Sequence, residues 1–142
     1  MLWTVATDIL SVKVDVANRP STRAGILFFI SAIPEVFGLI SPTTLVGRRI
    51  FQEVTRCNLS WDENLESIAP DLMKSWTKFV TTLPLLANLQ VPRCISGLEN
   101  PSTNRSVHFP NFSDASEHSY GTVSYLRIQY ENNVVHVSLV QA

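Results

Sequence analysis

The triplet Asp114-Ala115-Ser116, set beside a strand-like pattern, is the most chemical-looking feature of the chain. An aspartic-peptidase dyad needs Asp-Thr-Gly or Asp-Ser-Gly, because the small third residue lets two loops meet at paired carboxylates. Ser116 stands where that glycine belongs, and neither triplet occurs elsewhere. A strand-borne Asp also suits phosphodiester hydrolysis with two Mg2+ ions, but that chemistry takes several carboxylates. Alone, the triplet reads equally as a solvated turn.

The second candidate set is cationic. Between residues 16 and 60, Arg19, Arg23, Arg48, Arg49 and Arg56 meet only Glu35 and Glu53, a local excess of three positive charges. Arg48 and Arg49 fall together on a helix flank, where guanidinium groups grip phosphates without reading bases. An ordinary solvated helix face gives the same pattern.

The remaining candidates are blander. His108, His118 and His136 have no metal-ligand spacing and no accompanying Gly-x-Ser-x-Gly, so surface or turn positions are expected. Cys57 and Cys94 are too few for a disulfide framework or a zinc site and are expected as reduced core thiols. Trp61 and Trp76 are expected in the core rather than as platforms for bases. No Gly-rich phosphate loop, zinc finger or RNA-recognition signature is present in the sequence.

The elements that must position these residues come from 142 residues, 45% of them hydrophobic, with eight Pro and five Gly. That length suits one domain or pieces of two, and the apolar share excludes a disordered or collagen-like chain. A net charge of -1 gives no global basic field. The N-terminus lacks a signal-peptide pattern, and the oily run Ala24 to Pro34 is short of the ~20 residues a membrane span needs. The expectation is an intracellular protein of cytoplasm or nucleus, not secreted and without a membrane partner.

Alternation over residues 9–16 predicts a strand, and Asn18 to Ser21 a turn. Ser21 or Thr22 caps a helix to about Ala32, and Ser41-Pro42 starts a second to about Cys57. The second helix is expected to bury Leu45 or Val46, Ile50, Val54 and Cys57, with Arg48, Arg49, Glu53 and Arg56 off that face. Trp61 to Glu66 reads as an acidic loop, Pro70 to Leu83 as a third helix, and Leu89 to Ile95 as extended chain. After a Gly/Pro/Ser/Asn-rich stretch the pattern turns to strands: Val107 to Phe112, Gly121 to Tyr130 and Val134 to Val140. The fold class is α+β.

Four blocks, read in order, carry a resemblance. They are Phe37-Gly38-Leu39-Ile40-Ser41-Pro42 with Arg48-Arg49-Ile50-Phe51, then Leu59-Ser60-Trp61-Asp62-Glu63 with Leu65 and Trp76. Val91-Pro92-Arg93-Cys94-Ile95 follows, and Phe112-Ser113-Asp114-Ala115-Ser116 leads into Tyr120-Gly121-Thr122-Val123. Together they resemble the Pol polyprotein of BEL/Pao LTR retrotransposons, in the region known as the Pao retrotransposon peptidase family. The resemblance implies that residues 1–19 end a reverse-transcriptase palm and 20–96 form a three-helix thumb or connection. Residues 97–111 would be a linker, and 112–142 the first strands of a truncated RNase H-type antiparallel meander.

By the same resemblance, Arg23, Arg48 and Arg49 would hold the backbone of an RNA–DNA hybrid or primer–template. Asp114 would be the first RNase H carboxylate, with Mg2+ required by the complete domain and the rest of the Pol polyprotein as partner. The parent is a polymerase and RNase H, and this chain alone is expected to be inactive. Two other readings stay open: an aspartic peptidase using Asp114, and a decayed or domesticated scaffold. The sequence departs from the family at Pro34-Glu35-Val36-Phe37-Gly38, where Phe-Asp-Pro-Leu-Gly is usual.

Overall fold

The computed structural model describes residues 1–16, 20–35, 37–96, 104–117 and 119–142. Arg19, His118 and residues 97–103 of the expected linker lie outside the described residues. Two antiparallel sheets and a set of helices make the fold α+β.

The first sheet is small. Strands β1 (Leu2–Thr4), β2 (Ile9–Ser11) and β3 (Gln90–Pro92) pair in that order, with Trp3 opposite Leu10 and Leu10 opposite Val91. The strand expected over 9–16 is paired only to Ser11, because its partners β1 and β3 begin opposite that residue, at Leu2 and Gln90. Val12 is buried without a ladder, and Val14 and Val16 pack against the same core. The corner is fastened by Asp8, whose carboxylate oxygen accepts from Trp3 Nε1 at 3.0 Å and Arg93 Nε at 2.6 Å.

Helix α1 (Arg23–Ser31) starts where expected, with the Thr22 hydroxyl accepting from Gly25 N–H at 3.2 Å. Helix α2 (Ser41–Arg56) is preceded by Ile40, which makes no side-chain cap, so Ser41 is not the cap expected of it. Pro42 in the first turn suffices, since its missing N–H is one the helix leaves unpaired anyway. A short helix α3 (Leu65–Ile68) replaces the end of the expected acidic loop, nucleated by Asn64 accepting from Glu66 N–H at 2.9 Å. Helix α4 (Pro70–Thr82) runs into a 3-10 turn, Leu83–Asn88.

These helices close on Trp76, which is fully buried. Its indole N–H donates to Pro20 O at 2.9 Å, and its ring meets Phe29 and Phe79 with centroids 5.5 Å away in each case. Trp61, by contrast, is exposed, and so are Cys57 and Cys94. The core reading of these three fails for a shared reason: hydropathy does not tell which side of a helix end or loop faces inward. The face of α2 is corrected too. Val54 is buried and Ile50 packs on the core as expected, but Thr44 and Gly47 are buried as well and Val46 is exposed.

The second sheet is built on a long central strand, β6 (Tyr120–Tyr130). Strands β4 (Asn104–His108) and β5 (Asn111–Ala115) both pair with it, and β7 (Val135–Gln141) pairs with it as well. From Ser106 opposite Gln129 to Ala115 opposite Tyr120, β4 and β5 keep one unbroken register. They are two halves of one hairpin arm, interrupted at Pro110. Leu126, Ile128 and Tyr130 form a separate buried cluster, with Val140 packed against it. Tyr130 Oη and Ser138 Oγ reach back to Ser96 O and Ile95 O at 3.1 and 2.7 Å.

Candidate nucleic-acid interface

Helix α2 presents a polar flank because its other side is committed to packing. Thr44, Gly47 and Val54 are buried, and Ile50 and Phe51 pack against the same core. At about 100° per residue, this leaves Arg48, Arg49, Gln52 and Arg56 within one arc of the helix surface. All four are exposed.

Their electrostatic states differ. Arg56 pairs with Glu53 one turn back, an exposed contact of little energetic weight. Arg48 and Arg49 have no ion-pair partner among the described residues. Two adjacent guanidinium groups, engaged in no ion pair among the described residues and backed by a packed helix, can offer paired donors to phosphate oxygens.

Arg23 is placed differently. Its Nη1 donates to Leu59 O at 3.1 Å, and its guanidinium lies 4.1 Å from the centroid of the exposed Trp61 ring. Its Nε is buried without a hydrogen-bond partner among the described residues. The backbone joins the same contact, with Ala24 N–H donating to Trp61 O at 3.0 Å and Leu65 N–H to Ser21 O at 2.8 Å. Arg23 thus fastens residues 59–65 to the start of α1.

Asp114 lies on β5, exposed, directly opposite Gly121. Among the described residues, no group of three or more His, Cys, Asp or Glu side chains is placed to hold a metal ion. A two-ion Mg2+ site draws on several carboxylates, so Asp114 by itself does not fit one. Of the histidines, His108 is exposed, and His136 is half-buried with Nε2 2.6 Å from Ser138 Oγ. No helix among the described residues is long and apolar enough to cross a membrane.

A family model described as the Pao retrotransposon-like RNaseH-like domain matches residues 22–142. The chain belongs to this family. The match runs from the first helix through the last strand. It takes in all of the second hydrophobic cluster and all of the first but its β2-side residues Leu10 and Val12. It bears out the resemblance to a BEL/Pao retrotransposon Pol region, and the α+β architecture is consistent with an RNaseH-like domain. No curated protein and no solved structure matches the chain.

Two features of this Pao-family chain escaped the sequence reading. Gln52 joins the arginine row, which its spacing of four residues from Arg48 and from Arg56 already encoded. The stack of Arg23 on Trp61 left no such trace, since the two lie far apart in sequence and meet only through tertiary packing.

Proposed function

We propose that this chain is a nucleic-acid-holding part of a Pao-type retrotransposon polyprotein, gripping an RNA–DNA hybrid through its phosphates. The observation that carries the reading is the exposed Arg48-Arg49 pair on the packed helix α2, within a retrotransposon family match. Contacts of this kind fix position and orientation and carry no sequence information. Arg23, held by Leu59 O and Trp61, supports the platform and contributes less to the grip. Residues 20–96 act in this reading as the thumb or connection, and 112–142 as the beginning of the RNase H sheet. Asp114 is its strand carboxylate, and no hydrolysis is assigned to that residue alone.

Anisotropy with a labelled RNA–DNA hybrid across a salt series tests the reading. Binding should fall steeply with salt and ignore sequence. Arg48→Ala with Arg49→Ala should weaken it and lower the slope of log K against log salt by about 2. Arg56→Ala should have a smaller effect, since the adjacent Glu53 carboxylate offsets part of that guanidinium's pull on phosphate. Equal hybrid affinity in the double variant, or no binding at low salt, overturns the proposal.

A further inference from the structure

The outer face of the second sheet carries its own recognition chemistry. Along β6, Leu126, Ile128 and Tyr130 are buried on one side, while Val123, Tyr125, Arg127 and Gln129 on the other are only half-buried. Paired strands share faces, so Phe112 and His108 lie on the outer side with Tyr125 and Arg127. Phe112 is 59% exposed, and its ring meets Tyr125 edge-on with centroids 6.1 Å apart. At the strand break, His108, Phe109, Pro110 and Arg127 line a cleft of about 420 Å³.

We infer that this cleft and the adjoining aromatic face bind single-stranded nucleic acid, one nucleotide seated at Arg127 and its neighbours stacked on exposed rings. Three observations converge on that occupant. The cleft is open along the sheet rather than enclosed, as a strand laid across it requires. No carboxylate lines the cleft, and none pairs with Arg127 among the described residues. Phe112, on the same side of the sheet as Arg127, leaves an exposed aromatic face beside the cleft.

An apolar protein surface docking here would cover Arg127 and leave its charge without a partner, which is costly. A phosphate offers that guanidinium paired acceptors, while an unpaired base offers a flat ring to Phe112. Bases in a duplex are already stacked inside it, so the surface selects single strands. The inference rests on the nucleic-acid reading above and extends it to a second face and another strand state.

The test uses the full chain with two probes: a labelled oligo(dT) of about 10 nucleotides and an RNA–DNA hybrid. Arg127→Ala and Phe112→Ala should each weaken oligo(dT) binding about tenfold while leaving hybrid affinity in place. Arg48→Ala with Arg49→Ala should act mainly on the hybrid, so failure of either reading is separately visible. Oligo(dT) affinity unchanged in both single variants overturns the inference. So does a wild-type dimer in sedimentation that these variants dissociate, since the face would then join two copies of the chain. Photocrosslinking of iodouracil-substituted oligonucleotide to the unmutated chain avoids any folding defect. Crosslinks in the segment from Phe109 to Tyr125 are expected, and crosslinks confined to α2 overturn the assignment.

Discussion

Gly47 of α2 lies directly against the ring of Phe79 on α4, so closely that a methyl group at Gly47 would sit 2.8 Å from Phe79 Cζ. Phe79 cannot easily yield, being buried and packed on Trp76. The absent side chain is therefore what lets the two helices approach, and the approach turns Arg48 and Arg49 to solvent. Packing on one side of α2 dictates chemistry on the other.

Enlarging residue 47 should push the helices apart. Gly47→Val overpacks this contact and should cost about 1–3 kcal/mol, read as a lower urea midpoint with unchanged slope. Gly47→Ala should be milder, because alanine recovers up to about 1 kcal/mol of helix propensity. Shortening Phe79 to Leu in the Gly47→Val background should return part of the loss. Strict additivity of the two changes would show that this contact does not set the helix spacing.

Trp76 anchors the helical core by both packing and a hydrogen bond. Trp76→Ala should destabilise by about 3–5 kcal/mol, enough to unfold a marginal domain. Trp76→Phe keeps most of the apolar volume but strands Pro20 O, and should cost about 1–3 kcal/mol. Tryptophan emission checks the assignment: the blue component should vanish with Trp76, leaving the red-shifted signal of exposed Trp3 and Trp61. Loss of red emission instead would contradict the burial.

The legibility of the sequence followed the range of the interactions involved. Thr22 capped its helix as expected because a cap is settled within three residues, through Gly25 N–H. The long strand ending at Tyr130 was readable from alternation, since Leu126, Ile128 and Tyr130 share one face. The single strand expected from Val107 to Phe112 is instead divided between β4 and β5. The buried face of α2 was read in part, through Ile50 and Val54. Gly47 escaped because a glycine carries no hydrophobic signal, and only Phe79 gives it its place. The site was legible as residue types, through the Arg48-Arg49 pair. Its exclusion of Arg23 from a free surface depended on Trp61 and Leu59, contacts no local pattern reveals.

Asp8 gives the small sheet an acid-sensitive fastening. The hydrogen bond from Arg93, aided by Trp3 N–H and the Arg93 charge, outweighs desolvation and lowers the Asp8 carboxyl below its ordinary value. A carboxyl so lowered contributes stability fully above the usual aspartate value of about 3.9, and loses it as pH falls through the lower folded value. Asp8→Asn should thus lower Tm at neutral pH, and the gap to wild type should shrink below about pH 4. The size will be modest for so exposed a pair. A gap that persists unchanged into strong acid would detach the effect from the carboxylate.

Pro110 interrupts the hairpin by lacking a donor, not by shifting the register. Its carbonyl accepts from Tyr125 N–H at 3.0 Å, as the continuing ladder requires, but proline has no N–H to return to Tyr125. Pro110→Val should therefore complete the ladder and join β4 to β5. The new hydrogen bond contributes about 0.5–1.5 kcal/mol, and the freer unfolded chain offsets about 0.4–1 kcal/mol of it. Net stability should move by less than about 1 kcal/mol. Hydrogen exchange is thus the sharper probe, because the new amide at position 110 should be protected like its strand neighbours. Exchange there at the unfolded rate would mean that β4 and β5 are separate strands that happen to share a partner.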